Sequence, residues 1–310
     1  MSQKTYLALL FSLFSIFLFG CQAAAQSPSP TPAPASRAEP GISIVSWNIE
    51  WYPGMRRFAR GEEMRAHAER VKPVLAEINP DIFLAQEMRD WQSFAELTDV
   101  VPGLRPAVVS MFVSPQDGSY WRQQVAIGSK LYTKAAWAEE WRAGEDIHPR
   151  RGFTAALIRI PNTFRFLLVY SVHLKSNLSR SEEERQRNYD TRDESIRQLL
   201  AHIRHMQDTV FPDRIAGVVV GGDFNTNQDG QFGDNVVSMM VEAGFFHTWS
   251  DVPREERLTW RGSDRFQPTT FDHFFTKGVG EPRAEMLEVP DDTSDHWPVR
   301  IFIPFSALRE

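Results

Sequence analysis

Six short segments of the chain place acidic, amide or imidazole side chains beside strongly apolar stretches. These segments are residues 46–50, 86–87, 173–176, 221–225, 271–273 and 294–296. Functional side chains are often held where a rigid element runs out into a loop. Each segment by itself also suits a turn, a cap or a structural hydrogen bond. Because six of them occur in one chain, we interpret them as parts of one site.

Three of these side chains carry oxygen atoms that suit a hard divalent cation: Asn48, Glu87 and Asp295. Amide and carboxylate oxygens favour Mg²⁺ or Mn²⁺. Zinc is disfavoured because no histidine pair has metal-binding helical spacing beside a carboxylate, and Cys21 is the only cysteine. The pattern therefore indicates Mg²⁺, or Mn²⁺, as the cofactor.

Three further polar residues, Asp223, Asn225 and Asp272, stand in positions that are informative about direction or burial. Asp223 and Asn225 are two residues apart, so in extended backbone their side chains point to the same side. Asp272 stands in a run of phenylalanines, where a buried carboxylate needs a partner. These residues are candidates for chemistry and not only for turns.

The elements that would position these residues alternate between apolar strands and amphipathic helices. Expected strands are residues 42–47, 81–86, 125–127, 153–160, 166–173, 215–221, 270–275, 284–289 and 298–303, and expected helices are 62–78, 181–206 and 235–243. The Asn79-Pro80 pair ends the first helix. This pattern predicts a layered α/β domain.

The composition excludes several classes of protein. With 310 residues, 42% of them hydrophobic, the chain can bury a sizeable core, which excludes a wholly disordered protein. A net charge of −6 provides no overall attraction to nucleic acid or anionic lipid, so recognition of phosphate must be local. A single cysteine excludes an internal disulfide.

The first 40 residues are typical of an exported, tethered protein. An apolar run at 7–19 follows Lys4 and is shorter than the ~20 residues that span a bilayer, which favours a signal peptide. Residues 18–21, ending at Cys21, resemble the bacterial lipoprotein box, whose cysteine is lipidated; an ordinary signal peptide is the alternative. We therefore expect a signal peptide at 1–20, a proline-rich tether at 21–40 and one domain at 41–310. The expected location is the cell envelope.

Six motifs in order resemble the endonuclease/exonuclease/phosphatase family, the DNase I-like hydrolases. They are Trp47-Asn48, Gln86-Glu87, His173-Leu174-Lys175-Ser176, Gly222-Asp223-Phe224-Asn225, Phe271-Asp272-His273 and Ser294-Asp295-His296. The resemblance covers residues 42–304. It implies a two-layer β-sandwich flanked by helices, a four-layer α/β (α+β) fold, with the site at one end of the sandwich.

The resemblance also implies roles for two groups of residues. Glu87 would be the principal metal ligand, assisted by Asn48 and Asp295. His296 would pair with Asp272, which would hold the tautomer of the imidazole and raise its basicity.

The remaining implied roles concern the phosphate and the attacking water. Asp223 and Asn225 would orient them, His173 would bind or protonate a phosphate oxygen, and Arg151 would bind phosphate, with a surface arginine as the alternative. In DNase I a glutamate in a Ser-Tyr-containing segment supports the first active histidine. The similar segment here, residues 119–124, has no carboxylate, so we expect His173 to lack that partner.

These implications lead to a Mg²⁺-dependent phosphodiesterase, foremost a nuclease, acting by in-line attack of water on phosphorus. A phospholipid or sphingomyelin phosphodiesterase, a phosphatase of the same family, and a non-catalytic binding module remain as alternatives. The basic residues Lys175, Arg180, Arg185, Arg187 and Arg192 suit either a nucleic-acid groove or a solvated helix. A solvated face is likewise the expectation for His202 and His205. We expect a monomer that binds nucleic acid and contacts the membrane only through its lipid anchor.

Overall fold

The computed structural model describes residues 39–114, 118–144 and 151–308. The expected signal peptide, the expected lipidation site Cys21 and the expected tether up to residue 38 lie outside these ranges. The chain from Glu39 onward forms one compact unit. Among the described residues, no helix is both long and apolar enough to cross a membrane.

Twelve strands and four helices make up the described part of the chain. The strands are β1 (Gly41–Tyr52), β2 (Ile82–Met88), β3 (Arg105–Val109), β4 (Gln124–Ser129), β5 (Thr133–Glu140), β6 (Gly152–Arg159), β7 (Phe166–His173), β8 (Ile215–Asp223), β9 (Phe246–His247), β10 (Asp272–Lys277), β11 (Ala284–Met286) and β12 (Val299–Pro304). The helices are α1 (Glu62–Ile78), α2 (Trp91–Thr98), α3 (Glu182–His205) and α4 (Val236–Glu242).

The strands form two mixed sheets of six strands each. The first sheet has the order β11-β12-β1-β2-β4-β3, and the second has the order β5-β6-β7-β8-β10-β9. Within each sheet one central pair is parallel, β1 with β2 and β7 with β8, while the other pairs are antiparallel.

Three hydrophobic clusters hold four layers together. One fills the space between the two sheets, with Ile44, Leu84 and Val219 among its members. A second lies between the second sheet and helices α3 and α4, and a third lies between the first sheet and helices α1 and α2. The expected β-sandwich flanked by helices is confirmed, and all three clusters lie within residues 42–308.

Local sequence signals explain where the helices begin and end. Helix α1 has the predicted bounds: Glu62 and Glu63 occupy its first turn, where negative charge is favourable, and Asn79 ends it in the left-handed conformation. Helix α3 begins after Ser181, whose side chain accepts a hydrogen bond from the Glu184 amide.

Four elements were not predicted: α2, β3, β5 and β9. Strand β5 is half-buried along most of its length and lies at the edge of its sheet, so it lacks a continuous apolar run. Strand β9 has two residues, which is too short for any periodicity. Expected strand 284–289 is also shorter than predicted, since β11 ends at Met286.

Strand directions bring the chemically interesting segments to one end of the sandwich. Parallel neighbours end at the same edge of a sheet, so the ends of β1 and β2 meet, as do those of β7 and β8. In the second sheet, Asp223 is the register partner of both His173 and Asp272. The topology therefore brings the polar segments together at one end of the sandwich.

Candidate active site

Strand β8 delivers Asp223 to the centre of this end of the sandwich. Its approach to β7 is unusually close, because a Cβ at Gly222 would lie 2.0 Å from the carbonyl oxygen of Val172. Gly222 also has a positive φ of 149°, a region that residues with a side chain rarely adopt. Both facts explain why glycine precedes the aspartate.

His296 and Asp272 form a buried pair. His296 Nδ1 donates to Asp272 Oδ2 at 2.7 Å, and the Asp272 side chain is fully buried. The hydroxyl of Thr259 accepts hydrogen bonds from the backbone amides of Phe271 and Asp272, which fixes the strand start. Asp272 therefore dictates which nitrogen of His296 carries a proton and leaves Nε2 facing the site.

The first sheet holds the other side of this histidine. Ser294 Oγ donates to the carbonyl of Asn48 at 2.7 Å and accepts from the His296 amide at 3.0 Å. Trp47 Nε1 donates to the carbonyl of His296 at 3.1 Å. The two hydrogen bonds between the segments join residues nearly 250 positions apart in sequence. They hold the Trp-Asn and Ser-Asp-His motifs against each other in the folded chain.

Burial alone would lower the pKa of His296, but the surrounding carboxylates of Asp272, Asp295 and Asp223 raise it well above its ordinary value. The imidazole Nε2 lies 3.9 Å from Asp223 Oδ2 and 3.9 Å from Asp295 Oδ1. This shift favours the protonated imidazole, whose Nε2 can donate into the site.

Asp223 is surrounded by hydrogen-bond donors. Asn48 Nδ2 donates to its Oδ2 at 2.9 Å, and the amide of Asn225 donates to its Oδ1 at 2.9 Å. His173 Nε2 lies 3.4 Å from the same Oδ2. Burial nevertheless raises the pKa of Asp223 to about 7, although the charge of His296 opposes that rise. A carboxylate with such a pKa can accept a proton near neutral pH.

His173 is the neutral counterpart of His296. Burial, reinforced by the charges of Arg151 and His296, lowers the pKa of His173 well below its ordinary value. Its Nδ1 is buried and has no hydrogen-bond partner among the described residues. Within this part of the chain, His173 Nδ1 thus lacks a carboxylate partner, as expected from the absence of a carboxylate in segment 119–124.

Gln123, from segment 119–124, contacts Glu87 and not His173. Its Nε2 donates to Glu87 Oε1 at 2.6 Å. Arg151 lies close to the same end of the sandwich and donates to the carbonyl of His173 at 3.4 Å. Its neighbour Arg150 lies outside the described residues.

Glu50, Glu87 and Asp295 bring three carboxylates together at the end of β1 and β2. The amide of Trp51 donates to Glu87 Oε2 at 2.9 Å, and the amide of Asp295 donates to Glu50 Oε2 at 3.2 Å. Burial, and then repulsion from Asp295 and Glu87, raises the pKa of Glu50 to about 7. Burial likewise raises the pKa of Glu87, with Asp295 contributing. A cation at this place would relieve that repulsion.

The donor set fits a hard cation in its chemistry. Within the described residues, no group of three or more His, Cys, Asp and Glu side chains is arranged so that it could hold a metal ion by itself. Mg²⁺ commonly retains several waters and needs only one or two protein carboxylates together with substrate phosphate. Glu87 and Asp295, with Glu50 and the Asn48 amide oxygen beside them, satisfy that smaller requirement.

Unusual backbone conformations concentrate at this site. Five of the nine non-glycine residues with positive φ among those described are Glu50, Trp51, Glu87, Arg151 and Asn225. In β1 and β2 they coincide with register irregularities, where the pairing shifts between Asn48 and Tyr52. Strained backbone of this kind is found preferentially at functional sites, and here it turns side chains toward one another.

Three residues at the site were not among the sequence candidates: Glu50, Gln123 and Trp260. Trp260 Nε1 donates to Asp295 Oδ2 at 3.1 Å, which leaves Oδ1 directed at His296. Glu50 belongs to the first polar segment, so its carboxylate and its place beside Asn48 could have singled it out; the spacing argument used for Asp223 does not apply to it, because Glu50 has a positive φ. Neither Gln123 nor Trp260 carries such a signal.

Asn225 is also positioned by its neighbours. Its Nδ2 donates to the carbonyl of Leu174 at 3.3 Å, and its own carbonyl accepts from Asn177 Nδ2 at 2.6 Å.

The structure thus brings all the candidate site residues of the domain to one end of the sandwich. They are Asn48, Glu87, Arg151, His173, Asp223, Asn225, Asp272, Asp295 and His296.

The possible basic groove along α3 does not include Arg192. Its side chain is fully buried, and its Nε donates to Asp234 Oδ2 at 2.9 Å. It also donates to the carbonyl of Lys175 at 2.8 Å. Arg192 thus holds α3 to the chain beyond β8. Arg185 forms an ion pair with Glu182 on the surface of the same helix.

Comparison with solved structures supports the architecture. A mannosyl-6-phosphatase of Bacteroides thetaiotaomicron is 17% identical, with 84% of this chain and 99% of that chain aligned at a TM-score of 0.57. A mutant of the beta toxin of Staphylococcus aureus, solved with bound magnesium ions, is 18% identical over 85% of this chain and 100% of that chain, at a TM-score of 0.60. A humanized D. rerio TDP2 is 16% identical over 84% and 98%, at a TM-score of 0.55. At these identities the likeness concerns the fold.

Sequence comparison extends the likeness to a family. No curated protein gave a significant match to the whole sequence. Residues 45–296 match the Endonuclease/Exonuclease/phosphatase family, and this range includes all six polar segments. That family comprises metal-dependent hydrolases of phosphoester bonds. The match covers most of the chain, and the chain therefore belongs to the endonuclease/exonuclease/phosphatase family.

Proposed function

We propose that this protein is a Mg²⁺-dependent phosphodiesterase, with Mn²⁺ as an alternative ion, and that it acts as a nuclease. The observation that carries the proposal is the Asp272–His296 pair, whose free Nε2 faces Asp223 and Asp295. Opposed proton donors and acceptors of this kind serve the hydrolysis of a phosphoester, which needs both a base and an acid.

A basic and aromatic rim beside the site supports a polyanionic substrate. A small cavity next to Trp51 is lined by four arginines: Arg56, Arg57, Arg89 and Arg122. The guanidinium groups of Arg57 and Arg122 lie 5.2 and 5.7 Å from the ring centre of Phe58, which is 61% exposed. Exposed rings among cations are typical of surfaces that stack bases and track a phosphate backbone.

The proposed cation would be held by Glu87 and Asp295, with Glu50 and Asn48 beside them. When bound, it would neutralise charge on the phosphoryl oxygens and polarise the phosphorus for attack. Gln123 and Trp260 would hold the ligand side chains in orientation, since they occupy one oxygen each of Glu87 and Asp295.

The proton transfers would be carried by two residues. Asp223, whose Oδ2 lies 3.9 Å from His296 Nε2, would accept the proton of the attacking water as the water oxygen bonds to phosphorus. His296 would donate a proton from Nε2 to the leaving-group oxygen as the bond between that oxygen and phosphorus breaks. His173, neutral, would donate a hydrogen bond from Nε2, and Asn225 and Arg151 would position the phosphate.

Hydrolysis of bis-p-nitrophenyl phosphate tests this proposal. We expect both His296→Ala and Glu87→Ala to abolish metal-dependent hydrolysis. The first variant removes a general acid, which is typically worth about 10²–10⁴-fold, and the second removes a proposed ligand of the cation. The matched controls are His205→Ala and Glu183→Ala, which remove exposed side chains of helix α3. Rates near wild type in either site variant would reject the assignment.

A substrate panel separates nuclease from the alternative activities. Plasmid DNA, RNA, sphingomyelin and inositol phosphates would each be assayed with and without EDTA. We expect cleavage of nucleic acid that EDTA abolishes. Cleavage of lipid without cleavage of nucleic acid would identify the protein as a lipid phosphodiesterase. Absence of metal binding in a titration would favour a non-catalytic binding module.

We also propose export to the cell envelope and lipidation of Cys21. Metabolic labelling with a radioactive fatty acid tests this point: the label should enter the wild-type chain and be absent from Cys21→Ser. Light scattering of the purified protein tests the proposal that it is a monomer.

A further inference from the structure

A cavity of about 380 Å³ lies at the end of the second sheet that faces away from the candidate active site. Strand β6 runs from beside Arg151 at the site to Arg159 at the cavity, and β7 runs back from Phe166 to His173. The cavity is therefore separated from the site by the full length of these strands, and the proposed hydrolysis makes no use of it.

Three cations line the cavity: Lys134, Arg159 and Arg214. None of them forms an ion pair with another described residue, and the lining includes no carboxylate. Asp208 and Asp213 are exposed on the neighbouring segment but do not line it. In a chain with a net charge of −6, this is a local concentration of positive charge.

The backbone holds these cations in place. The Arg159 amide donates to the carbonyl of Tyr132, and the Phe166 amide donates to the carbonyl of Arg214, both at 2.9 Å. Arg159 Nε also donates to the carbonyl of Thr163 at 2.9 Å. Lys134 belongs to β5, Arg159 is the last residue of β6 and Arg214 directly precedes β8, so the three cations are carried at strand ends.

Exposed aromatic side chains stand beside the cations. Phe164, at the β6–β7 turn, is 77% exposed, and Tyr132 is 62% exposed. The Arg159 guanidinium lies 5.3 Å from the ring centre of Phe164. A pocket for a small ligand would enclose most of its surface, whereas these rings stand open to solvent. Open rings among cations suit a membrane surface, where rings enter the headgroup layer and cations meet lipid phosphates.

The chain also joins the domain at this end. Strand β1 begins at Gly41 and runs toward the site at Asn48, so Gly41 lies at the end away from the site. The 40 preceding residues, with the expected lipid anchor Cys21, therefore join the domain at the end that carries the cavity.

We propose that this end of the domain binds an anionic lipid surface through its phosphate groups. The contact surface, which we call the distal patch, consists of Tyr132, Lys134, Arg159, Phe164 and Arg214. Binding there would add a second membrane contact to the expected lipid anchor, and it would leave the active site facing away from the bilayer.

Vesicle co-sedimentation of residues 39–310 tests the proposal. This part contains both sheets and all three hydrophobic clusters, and circular dichroism would verify its fold. Vesicles of phosphatidylcholine and phosphatidylglycerol in equal amounts should bind it, and vesicles of phosphatidylcholine alone should not. A rise in salt concentration should weaken the binding because it screens surface charge.

The decisive variant replaces Lys134, Arg159 and Arg214 by glutamine. The partition coefficient should fall by about 100-fold, since each basic residue near an anionic surface contributes about fivefold. Phe164→Ser should lower it by about tenfold through the loss of apolar contact. The matched control replaces Arg60, Arg65 and Lys72 by glutamine, which removes the same charge from the α1 region and should leave binding nearly unchanged.

Three results would overturn the proposal. Binding that is equal on both vesicle types would exclude an anionic surface, and an equal loss in the control variant would show only a general effect of charge. Displacement from vesicles by inorganic phosphate at constant ionic strength would instead identify a site for small anions. The variant with glutamine at Lys134, Arg159 and Arg214 should hydrolyse bis-p-nitrophenyl phosphate at the wild-type rate. Failure of the membrane proposal can therefore be distinguished from failure of the proposed hydrolysis.

Discussion

Replacement of Asp272 by asparagine isolates the contribution of one carboxylate to the proposed chemistry. Asp272 is fully buried and accepts a hydrogen bond of 2.7 Å from His296 Nδ1. Asparagine has nearly the same shape but no charge. The substitution therefore keeps the packing of the strand and removes the group that orients His296 and stabilises its positive charge.

The size of the effect follows from this hydrogen bond. A bond to a charged group contributes about 1.5–3 kcal/mol, and each 1.36 kcal/mol changes a rate by about tenfold. The expected loss in kcat is thus about 10- to 10²-fold, and its upper end reaches the range for acid–base catalysis. Because Asp272 is buried beneath His296, it does not reach substrate, and KM should change little.

Steady-state hydrolysis of bis-p-nitrophenyl phosphate at saturating Mg²⁺ measures both constants. The matched control is Asp193→Asn, which alters a buried carboxylate that accepts hydrogen bonds from the amide and the side chain of Asn235. The control should lose stability but keep its kcat. A kcat for Asp272→Asn within a few-fold of wild type, or an effect confined to KM, would refute the role assigned to the pair.

Three further predictions concern the cation, pH and a buried ion pair. EDTA should abolish activity and Mg²⁺ should restore it. Mg²⁺ should also raise the melting temperature in a thermal-shift assay, by less in Glu50→Gln: burial, and then repulsion from Asp295 and Glu87, raises the pKa of Glu50 to about 7, and a cation relieves the repulsion. Burial lowers the pKa of His273 to about 4 and that of His247 to about 2, from 6.5, so the unfolded chain binds more protons below pH 6.5. The free energy of unfolding in urea should therefore fall between about pH 6.5 and 4, by up to about 1.4 kcal/mol per pH unit for each histidine, and a His273→Gln variant should show a smaller slope. Arg192→Ala should cost about 3–5 kcal/mol in urea denaturation, since Asp234 would remain buried without its partner; a cost below about 1 kcal/mol would contradict a structural role.

Much of the fold was predictable because its signals are local. Helix α1 has its predicted bounds, and both the acidic first turn and the Asn-Pro stop lie within a few residues of its ends. Strands β7 and β8 were recognisable as runs of Val, Ile and Leu, which a strand buried on both faces requires. Elements with mixed burial, such as β5, have no comparable pattern.

Side-chain surroundings were less predictable, as two histidines of α3 show. His202 and His205 are three residues apart, and both were expected on a solvated face. His205 is exposed. The ring centre of His202, by contrast, lies 4.8 Å from that of Phe153, and a hydrogen bond of 2.8 Å joins His202 Nδ1 to the Tyr170 hydroxyl. For a residue at the edge of the buried face of a helix, the burial of the side chain depends on which residues of the neighbouring sheet lie against it.

The sequence by itself determined the order of the polar motifs, the alternation of strands and helices, and the hard-oxygen character of the candidate ligands. Spacing and residue chemistry decide these features over short distances along the chain. Only the tertiary structure decided that Glu50 joins Glu87 and Asp295, that Arg192 is a buried partner of Asp234, and that the pKa of His296 is raised while that of His173 is lowered. The physical reason is that burial and electrostatic interaction depend on distances between atoms, and the folded chain sets those distances between residues that are far apart in sequence.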